Sequence, residues 1–273
     1  MTGGALETVR QLPTKMVEKV WGREDLPDPF SAPEGTRIGE IWFDPPPELP
    51  QLLVKYLFTS ENLSVQVHPS DANALDGEDG KEECWLVLDA EPGAKLAIGF
   101  DQDLSPQAVE QAAKDGSIEE LLTWHEVAAG DVYYLPPGTV HAIGPGLSLV
   151  EVQQNSDTTF RLFDYGRDRE LHLDRALAVA DCGPYPSVHR STVHERGVTL
   201  IDAPHFRMDR VEGAPQSETR ENYGGPLLAL PLAGEVRSLN GSASAQAGEC
   251  LYADSIDALE SANAKVTLLT RPA

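Results

Sequence analysis

A chain of 273 residues with 44 acidic and 21 basic side chains carries a formal net charge of −23. That balance excludes a nucleic-acid binder, which needs a positive stripe along a phosphate backbone, and it disfavours binding to an anionic membrane. An apolar share of 41% is ordinary for a soluble globular protein, and the length allows one large core or two moderate ones. No apolar run reaches membrane-spanning length. Met1 to Val20 includes Glu7 and Glu18 and has no apolar h-region, so no secretory signal is expected. Cys84, Cys182 and Cys250 are scattered and make neither a CxxC pair nor a disulfide framework. The expected compartment is the cytoplasm.

Up to about residue 60 the chain is rich in Pro and polar residues, with Val20-Trp21-Gly22-Arg23 and Ile38-Gly39-Glu40-Ile41-Trp42 standing out. Short strand-like runs follow. Leu52 to Phe58 and Leu63 to His68 flank Thr-Ser-Glu-Asn, which reads as a hairpin connection. Glu83 to Leu88 and Ala94 to Phe100 come next, and then a helical insertion near 105–123. Ser105-Pro106 supplies an N-cap and a proline at the first helical position. Ser117-Ile-Glu-Glu120 reads as a capping box for a second short helix, with Gly116 between the two. Strand character returns at Asp131 to Leu135 and Leu147 to Gln154. Many short strands with Gly/Pro turns indicate a mainly β protein, a sandwich or barrel.

Asp181-Cys-Gly-Pro-Tyr-Pro-Ser marks the expected boundary between a first domain, 1–183, and a smaller β-domain, 184–273. In the latter, Val198 to Ile201, His205 to Val211, Leu227 to Leu232, Glu235 to Leu239, Glu249 to Ala253 and Lys265 to Leu269 read as strands. No internal repeat of solenoid-like period is found.

Chemistry concentrates in Ser64-Val-Gln66-Val-His68-Pro-Ser-Asp, Glu83 and Gly130-Asp-Val-Tyr-Tyr-Leu-Pro136-Pro-Gly138-Thr-Val-His141. Alternate residues of a strand share a face. Ser64, Gln66 and His68 therefore point one way while Leu63, Val65 and Val67 pack a core. Lys81, Glu83 and Trp85 form a second same-face trio, and Pro-Pro-Gly before His141 is a rigid turn. An amide oxygen, two imidazoles and a carboxylate suit zinc, with iron, manganese, nickel or cobalt as alternatives. Such a set leaves net positive charge on a divalent ion, which is then a useful Lewis acid.

Two motifs carry a resemblance. Gly130-x5-Pro136-x-Gly138-x2-His141 resembles the second motif of the cupin β-barrels, without their usual trailing Asn. Gln66-Val-His68-Pro-Ser-Asp, Gly80-Lys81-Glu-Glu83-Cys-Trp85 and Asp157-Thr-Thr-Phe-Arg161 resemble the type I phosphomannose isomerases, zinc-dependent members of that superfamily, in their compact bacterial form. The match runs over about residues 20 to 170 and is weak beyond 190. It implies two cupin-type jelly-roll domains, the second degenerate because Gly248-Glu-Cys-Leu-Tyr lacks a histidine.

The resemblance implies one Zn2+ per chain, held by Gln66, His68, Glu83 and His141, with Arg161 as the catalytic arginine. Asp157 and Glu151 match acidic active-site residues. Ser64, Lys55 and Lys81 match positions in contact with phosphate or sugar, and Arg167 stands where longer relatives carry a lysine. Ala142-Ile143 departs from the tyrosine many relatives place two positions after this histidine, leaving one sugar contact open.

The implied reaction interconverts mannose 6-phosphate and fructose 6-phosphate through an enediol, with Asp157, Glu151, Lys81 or a metal-bound water as the base. The expected partner is a small sugar phosphate, with no nucleic acid and no membrane, on a monomer or homodimer. Two alternatives compete: a cupin metal oxygenase or decarboxylase, against which Gln66 in place of a histidine argues, and a non-catalytic sugar-phosphate-binding cupin.

Overall fold

The computed structural model describes residues 8–273. Residues 1–7, on which part of the secretory-signal expectation falls, lie outside the described residues. In chain order the first strands are β1 (Val9–Gln11), β2 (Thr14–Arg23), β3 (Ile38–Phe43), β4 (Leu52–Phe58), β5 (Val65–Val67), β6 (Glu83–Ala90) and β7 (Lys95–Phe100). Helices α1 (Pro106–Asp115) and α2 (Ile118–Leu121) follow, then β8 (Leu122–Glu126), β9 (Asp131–Leu135), β10 (His141–Ile143), β11 (Leu147–Gln154) and β12 (Phe160–Phe163). Helix α3 (Leu173–Val179), β13 (Arg190–Thr192) and α4 (Val193–Arg196) lead to β14 (Thr199–Asp202), β15 (Phe206–Val211) and α5 (Ser217–Asn222). The chain ends with β16 (Leu227–Ala233), β17 (Glu235–Ser238), β18 (Ser244–Gln246), β19 (Leu251–Ala253), β20 (Leu259–Glu260) and β21 (Val266–Pro272). The protein is mainly β, as the turn-rich sequence predicts. Among the described residues no helix is long and apolar enough to cross a membrane.

The strands build stacked layers. A seven-stranded sheet runs β13-β9-β6-β11-β4-β3-β2, and a five-stranded sheet runs β12-β5-β10-β7-β8. Trp21, Leu57, Trp85 and Tyr133 of the larger sheet pack against Leu96, Ile98 and Ile143 of the smaller one. The outer face of the five-stranded sheet is covered by the helices, where Val65, Val67 and Ala142 meet Val109, Ala112 and Ala176. On the far face of the seven-stranded sheet, Tyr56, Phe58 and Leu86 pack on Phe206, Leu228 and Tyr252. Those last residues belong to a six-stranded sheet ordered β1-β19-β16-β21-β15-β14, and a three-stranded sheet β18-β17-β20 completes the stack. Two segments cross the residue-183 division: β1 pairs with β19, and β13 pairs with β9.

The seven-stranded sheet is buried on both faces at its centre, which explains why β4 is apolar nearly throughout and buried at every position. It also corrects the expected hairpin. β4 is flanked by β3 and β11, so neither edge is free for β5, which pairs with β10 and β12 in the other sheet.

The helical insertion forms at its predicted place. Ser105 caps α1 by accepting from Ala108 N at 3.2 Å, and Gly116 ends it at φ 85°, where an L side chain is strained. The second cap differs from expectation: Ser117 donates its hydroxyl to Asp115 Oδ1 at 2.6 Å and makes no capping bond to α2.

Candidate active site

The ligand candidates come from both sheets that face each other. Gln66, central in β5, turns away from the core residues Val65 and Val67. His141 opens β10 directly opposite it in register. The Pro136-Pro137-Gly138 turn is tied to the same strand, since Gly138 N donates to the His68 carbonyl at 2.8 Å. Gly138 sits at φ 90°, a conformation that favours glycine. Glu83 arrives from the opposing sheet as the first residue of β6.

His68, Glu83 and His141 are all buried, and one donor atom from each lies within 4.8 Å of the others. Each imidazole donates its Nδ1 hydrogen to a backbone carbonyl, His68 to Thr158 at 2.8 Å and His141 to Thr139 at 2.9 Å. Both Nε2 lone pairs are thereby turned inward, the arrangement that orients a metal-binding imidazole. Burial lowers the pKa of both rings, helped at His68 by the Lys81 charge, so both favour the neutral form a metal requires.

Glu83 Oε1 is buried without a hydrogen-bond partner and lies 3.4 Å from His141 Nε2. A buried carboxylate oxygen left without a donor and facing an imidazole lone pair is costly, and a divalent metal would relieve it, so the donor set fits such an ion. Burial alone would raise the Glu83 pKa, but the opposing charge of Lys81, with its hydrogen bond, leads the causes that hold the carboxyl below the usual range. The Gln66 amide nitrogen is 3.3 Å from His141 Nε2 and 3.5 Å from His68 Nε2, while its Oε1 accepts from Ser64 at 3.0 Å. The carboxamide therefore reaches both rings, and rotation about its last bond exchanges donor for acceptor.

A ladder of alternating charges leads away from this cluster. Lys81 pairs with Glu83, approaches His68 Nε2 at 3.1 Å and lies 3.6 Å from Glu151 Oε1. Glu151 binds Lys55 at 2.9 Å and accepts from Trp85 Nε1 at 3.1 Å, because β11 places it directly opposite Lys55 on one side and Trp85 on the other. Lys55 continues to Glu40 at 3.6 Å, and Glu40 to Lys19 at 3.2 Å. Burial opposes the charge on Lys55, but Glu151 and Glu40 overcome it and push its pKa up. Burial raises the pKa of Glu151.

These groups line a cavity of about 240 Å³ between the two sheets. Arg161 enters from β12, opposite Gln66, and its Nε is buried without a partner. Its backbone is fixed by His172, which accepts from Arg161 N at 3.2 Å and donates to Arg161 O at 2.8 Å. Asp157 also lines the wall, and among the described residues it makes no ion pair with Arg161. Five cationic side chains and four carboxylates line the cavity, so this pocket lacks the acidic excess of the chain as a whole.

Ser64, Gln66, Glu83, Lys55, Lys81, Glu151, Asp157 and Arg161 all reach the cavity, with His68 and His141 behind them. Arg167 does not. The turn Asp164–Arg167, with Tyr165 at φ 56°, points its guanidinium to Glu61 at 3.1 Å and the Asn62 carbonyl at 2.9 Å. Arg169 lines the cavity instead, held by both oxygens of buried Asp164 at 2.5 and 2.6 Å. Sequence reasoning also missed Lys19 and Glu40. Glu40 had a signal, because Trp42 two residues on shares its face and donates to it at 3.0 Å.

No family model matches the chain. It is 36% identical over 207 residues to the mannose-6-phosphate isomerase ManA of Bacillus subtilis (strain 168), covering 70% of this chain and 64% of that protein. It is 32% identical over 241 residues to the probable mannose-6-phosphate isomerase GmuF of the same organism, covering 83% of this chain and 71% of GmuF. The chain thus spans under two thirds of ManA and more than two thirds of GmuF. In fold it is similar to the crystal structure of the Bacillus subtilis mannose 6-phosphate isomerase, with a TM-score of 0.76 over 96% of this chain and 99% of that one at 24% identity. A zinc-bound mannose 6-phosphate isomerase superimposes with a TM-score of 0.70 over 97% and 99% of the two chains at 13% identity. The chain belongs to the mannose-6-phosphate isomerase family.

Proposed function

We propose that the protein is a metal-dependent aldose–ketose isomerase interconverting mannose 6-phosphate and fructose 6-phosphate, with one zinc ion per chain held by Gln66, His68, Glu83 and His141. The observation that carries this reading is the meeting, in one cavity, of the buried His68–Glu83–His141 cluster with Arg161 and the Lys55 and Lys81 ammoniums. A bound zinc would supply Lewis acidity toward sugar oxygens.

The chain's own residues account for the other tasks. Isomerisation takes a proton from C2 and returns it to C1 through an enediol. Arg161, unpartnered at Nε, supplies a fixed positive charge for the oxygen that becomes anionic. Glu151 is the favoured proton carrier among the candidates, since burial raises its pKa toward the range where a carboxyl both gives and takes protons. Lys55 and Lys81 hold it in place. Asp157 at the wall binds sugar hydroxyls. The phosphate engages Ser64, Arg169 and the outer ladder lysine Lys19, all on the cavity lining.

The fold side of the proposal is a pair of jelly-roll units. The first, to about residue 183, carries the site, and the second supports it. β1 is contributed to the second unit and β13 to the first. The oxygenase alternative is not favoured by the relatives described above, and Gln66 stands where it would require an imidazole. A purely binding role leaves the buried Arg161 Nε and the Glu151 ladder without a purpose.

A coupled assay tests the reading: fructose 6-phosphate formed from mannose 6-phosphate, before chelation, after it, and after zinc return. Activity lost on chelation and regained with zinc is the expected result. A zinc-loaded protein without turnover would sink the proposal.

A further inference from the structure

We infer that His205, from the second half of the chain, is a positioning residue that clamps the segment joining the ligands His68 and Glu83. The inference rests on the proposed reading of these residues as metal ligands.

The segment 69–82 runs between β5 and β6 as a series of turns, with a ligand at each end. Two of its carboxylates converge on one ring. His205 Nδ1 is 2.8 Å from Glu82 Oε2, and His205 Nε2 is 2.9 Å from Asp71 Oδ2. The His205 backbone N donates to Glu82 Oε1 at 3.3 Å as well. An ionised carboxylate only accepts, so both ring nitrogens must carry hydrogen and His205 is an imidazolium. Its raised pKa agrees: partial burial opposes the charge, and the bonds to Glu82 and Asp71 overcome it.

The bonds close into a circuit. Gln154 donates to Asp71 Oδ1 at 3.0 Å and accepts from Glu82 N at 2.8 Å. Asp71 Oδ1 also accepts from Gly80 N at 2.8 Å, folding the segment back on itself. That return leaves no room for a side chain, as a Cβ on Gly80 would lie 2.4 Å from Asp71 N. Asp71, His205, Glu82 and Gln154 thus form a ring of contacts anchored in both halves of the molecule.

Glu82 is the lever. It is the immediate neighbour of Glu83, and by strand alternation it points to the opposite face, away from the cavity. Its side chain is only 2% exposed, so leaving it unpaired would carry a steep desolvation penalty. Surface ion pairs contribute little alone, but this one neutralises a buried carboxylate. If His205 is removed, Glu82 must rotate toward water, and the adjoining peptide that aims Glu83 rotates with it.

The test uses the full chain carrying His205→Ala, with Asp71→Asn as a milder break on the exposed side of the clamp. Amide hydrogen exchange and zinc affinity, by competition with a chromogenic chelator, are read for each. Exchange in segment 69–82 should accelerate at least tenfold in His205→Ala while β11 stays protected. Zinc affinity should fall by about 10- to 100-fold, the range for outer partners of metal ligands, and turnover at saturating zinc should drop in kcat more than in KM. Should His205→Ala fail to fold, Asp71→Asn must show the same pattern at smaller amplitude. Exchange and zinc affinity within twofold of wild type, in whichever variant folds, overturn the clamp. Neither the exchange nor the zinc-affinity measurement involves sugar phosphate, so a wild type that binds zinc without turnover would overturn the isomerase reading and not this one.

Discussion

His141 stands directly across the β10–β5 ladder from Gln66, with the Gln66 amide nitrogen 3.3 Å from His141 Nε2. The pairing locks two of the four candidate ligands into one rigid frame, and it sets a first expectation. His141→Ala removes a donor whose replacement must come from solvent, so affinity for zinc should fall by at least the 10- to 100-fold that even outer partners cost. Metal content by mass spectrometry and isomerase activity should fall together. Full metal content with no activity would mean that His141 serves the sugar rather than the ion.

Arg161 should behave in the opposite way. Its guanidinium faces the cavity, and it is not a member of the donor cluster. Removing one preorganised charge at a developing oxyanion costs about 10²–10³ in kcat. Arg161→Ala should show that loss in kcat with zinc content unchanged. Near-normal turnover would remove Arg161 from the catalytic set.

Much of this site was legible from strand parity. Gln66 with His68, and Lys81 with Glu83 and Trp85, each share a face because alternation is a local property of the backbone. The pairing of strands was not legible, because it depends on which edges are free. Leu52 to Phe58 resembles half of a hairpin, yet β3 and β11 occupy both its edges. The Lys55–Glu151 bond follows from that same pairing and could not be read without it. Arg169 escaped because the segment 164–169 is a turn with no face to count along, where two successive positive-φ residues, Tyr165 and Gly166, redirect the chain just before the two arginines. The His205 clamp spans more than 120 positions and has no sequence signature at all.

Glu40 links the charge ladder to acid stability. Burial would raise its pKa, but Lys55 and Lys19 outweigh burial and lower it. A carboxyl with a depressed native pKa adds stability above its unfolded value and loses it as pH falls through the native one. The contribution should therefore be present at neutral pH and fade below about pH 4. Glu40→Gln keeps the shape and the bond from Trp42 Nε1 but leaves Lys55 with Glu151 alone. It should cost about 1–3 kcal/mol at pH 7 in urea unfolding, and the gap to wild type should narrow as pH drops below 4. A gap of constant size across that range would mean that the charge on Glu40 is not what stabilises the fold.

The glycines of Trp21-Gly22 and Gly39-Glu40 form the outer support of the cavity wall. A Cβ on Gly22 would lie 2.5 Å from Gly39 N and from the Ile38 carbonyl carbon. A Cβ on Gly39 would meet Lys19 Cγ at 2.6 Å and the Trp21 ring at 2.7 Å. β2 and β3 approach closely here, where their register shifts between Glu18 and Arg23. Because the contacts at Gly22 are backbone, no side-chain rotation relieves them. Gly22→Ala should destabilise by about 1–3 kcal/mol, as overpacking does, and it should raise KM, because the displaced strand carries Lys19 and Trp21 at the cavity wall. The contacts at Gly39 are with the first carbons of Lys19, which are tied closely to the backbone, and with the buried Trp21 ring, so Gly39→Ala should destabilise by a similar amount. Since both substitutions force the same pair of strands apart, their combined cost should fall short of the sum. Strict additivity in the double variant would show that the two glycines do not share one close approach.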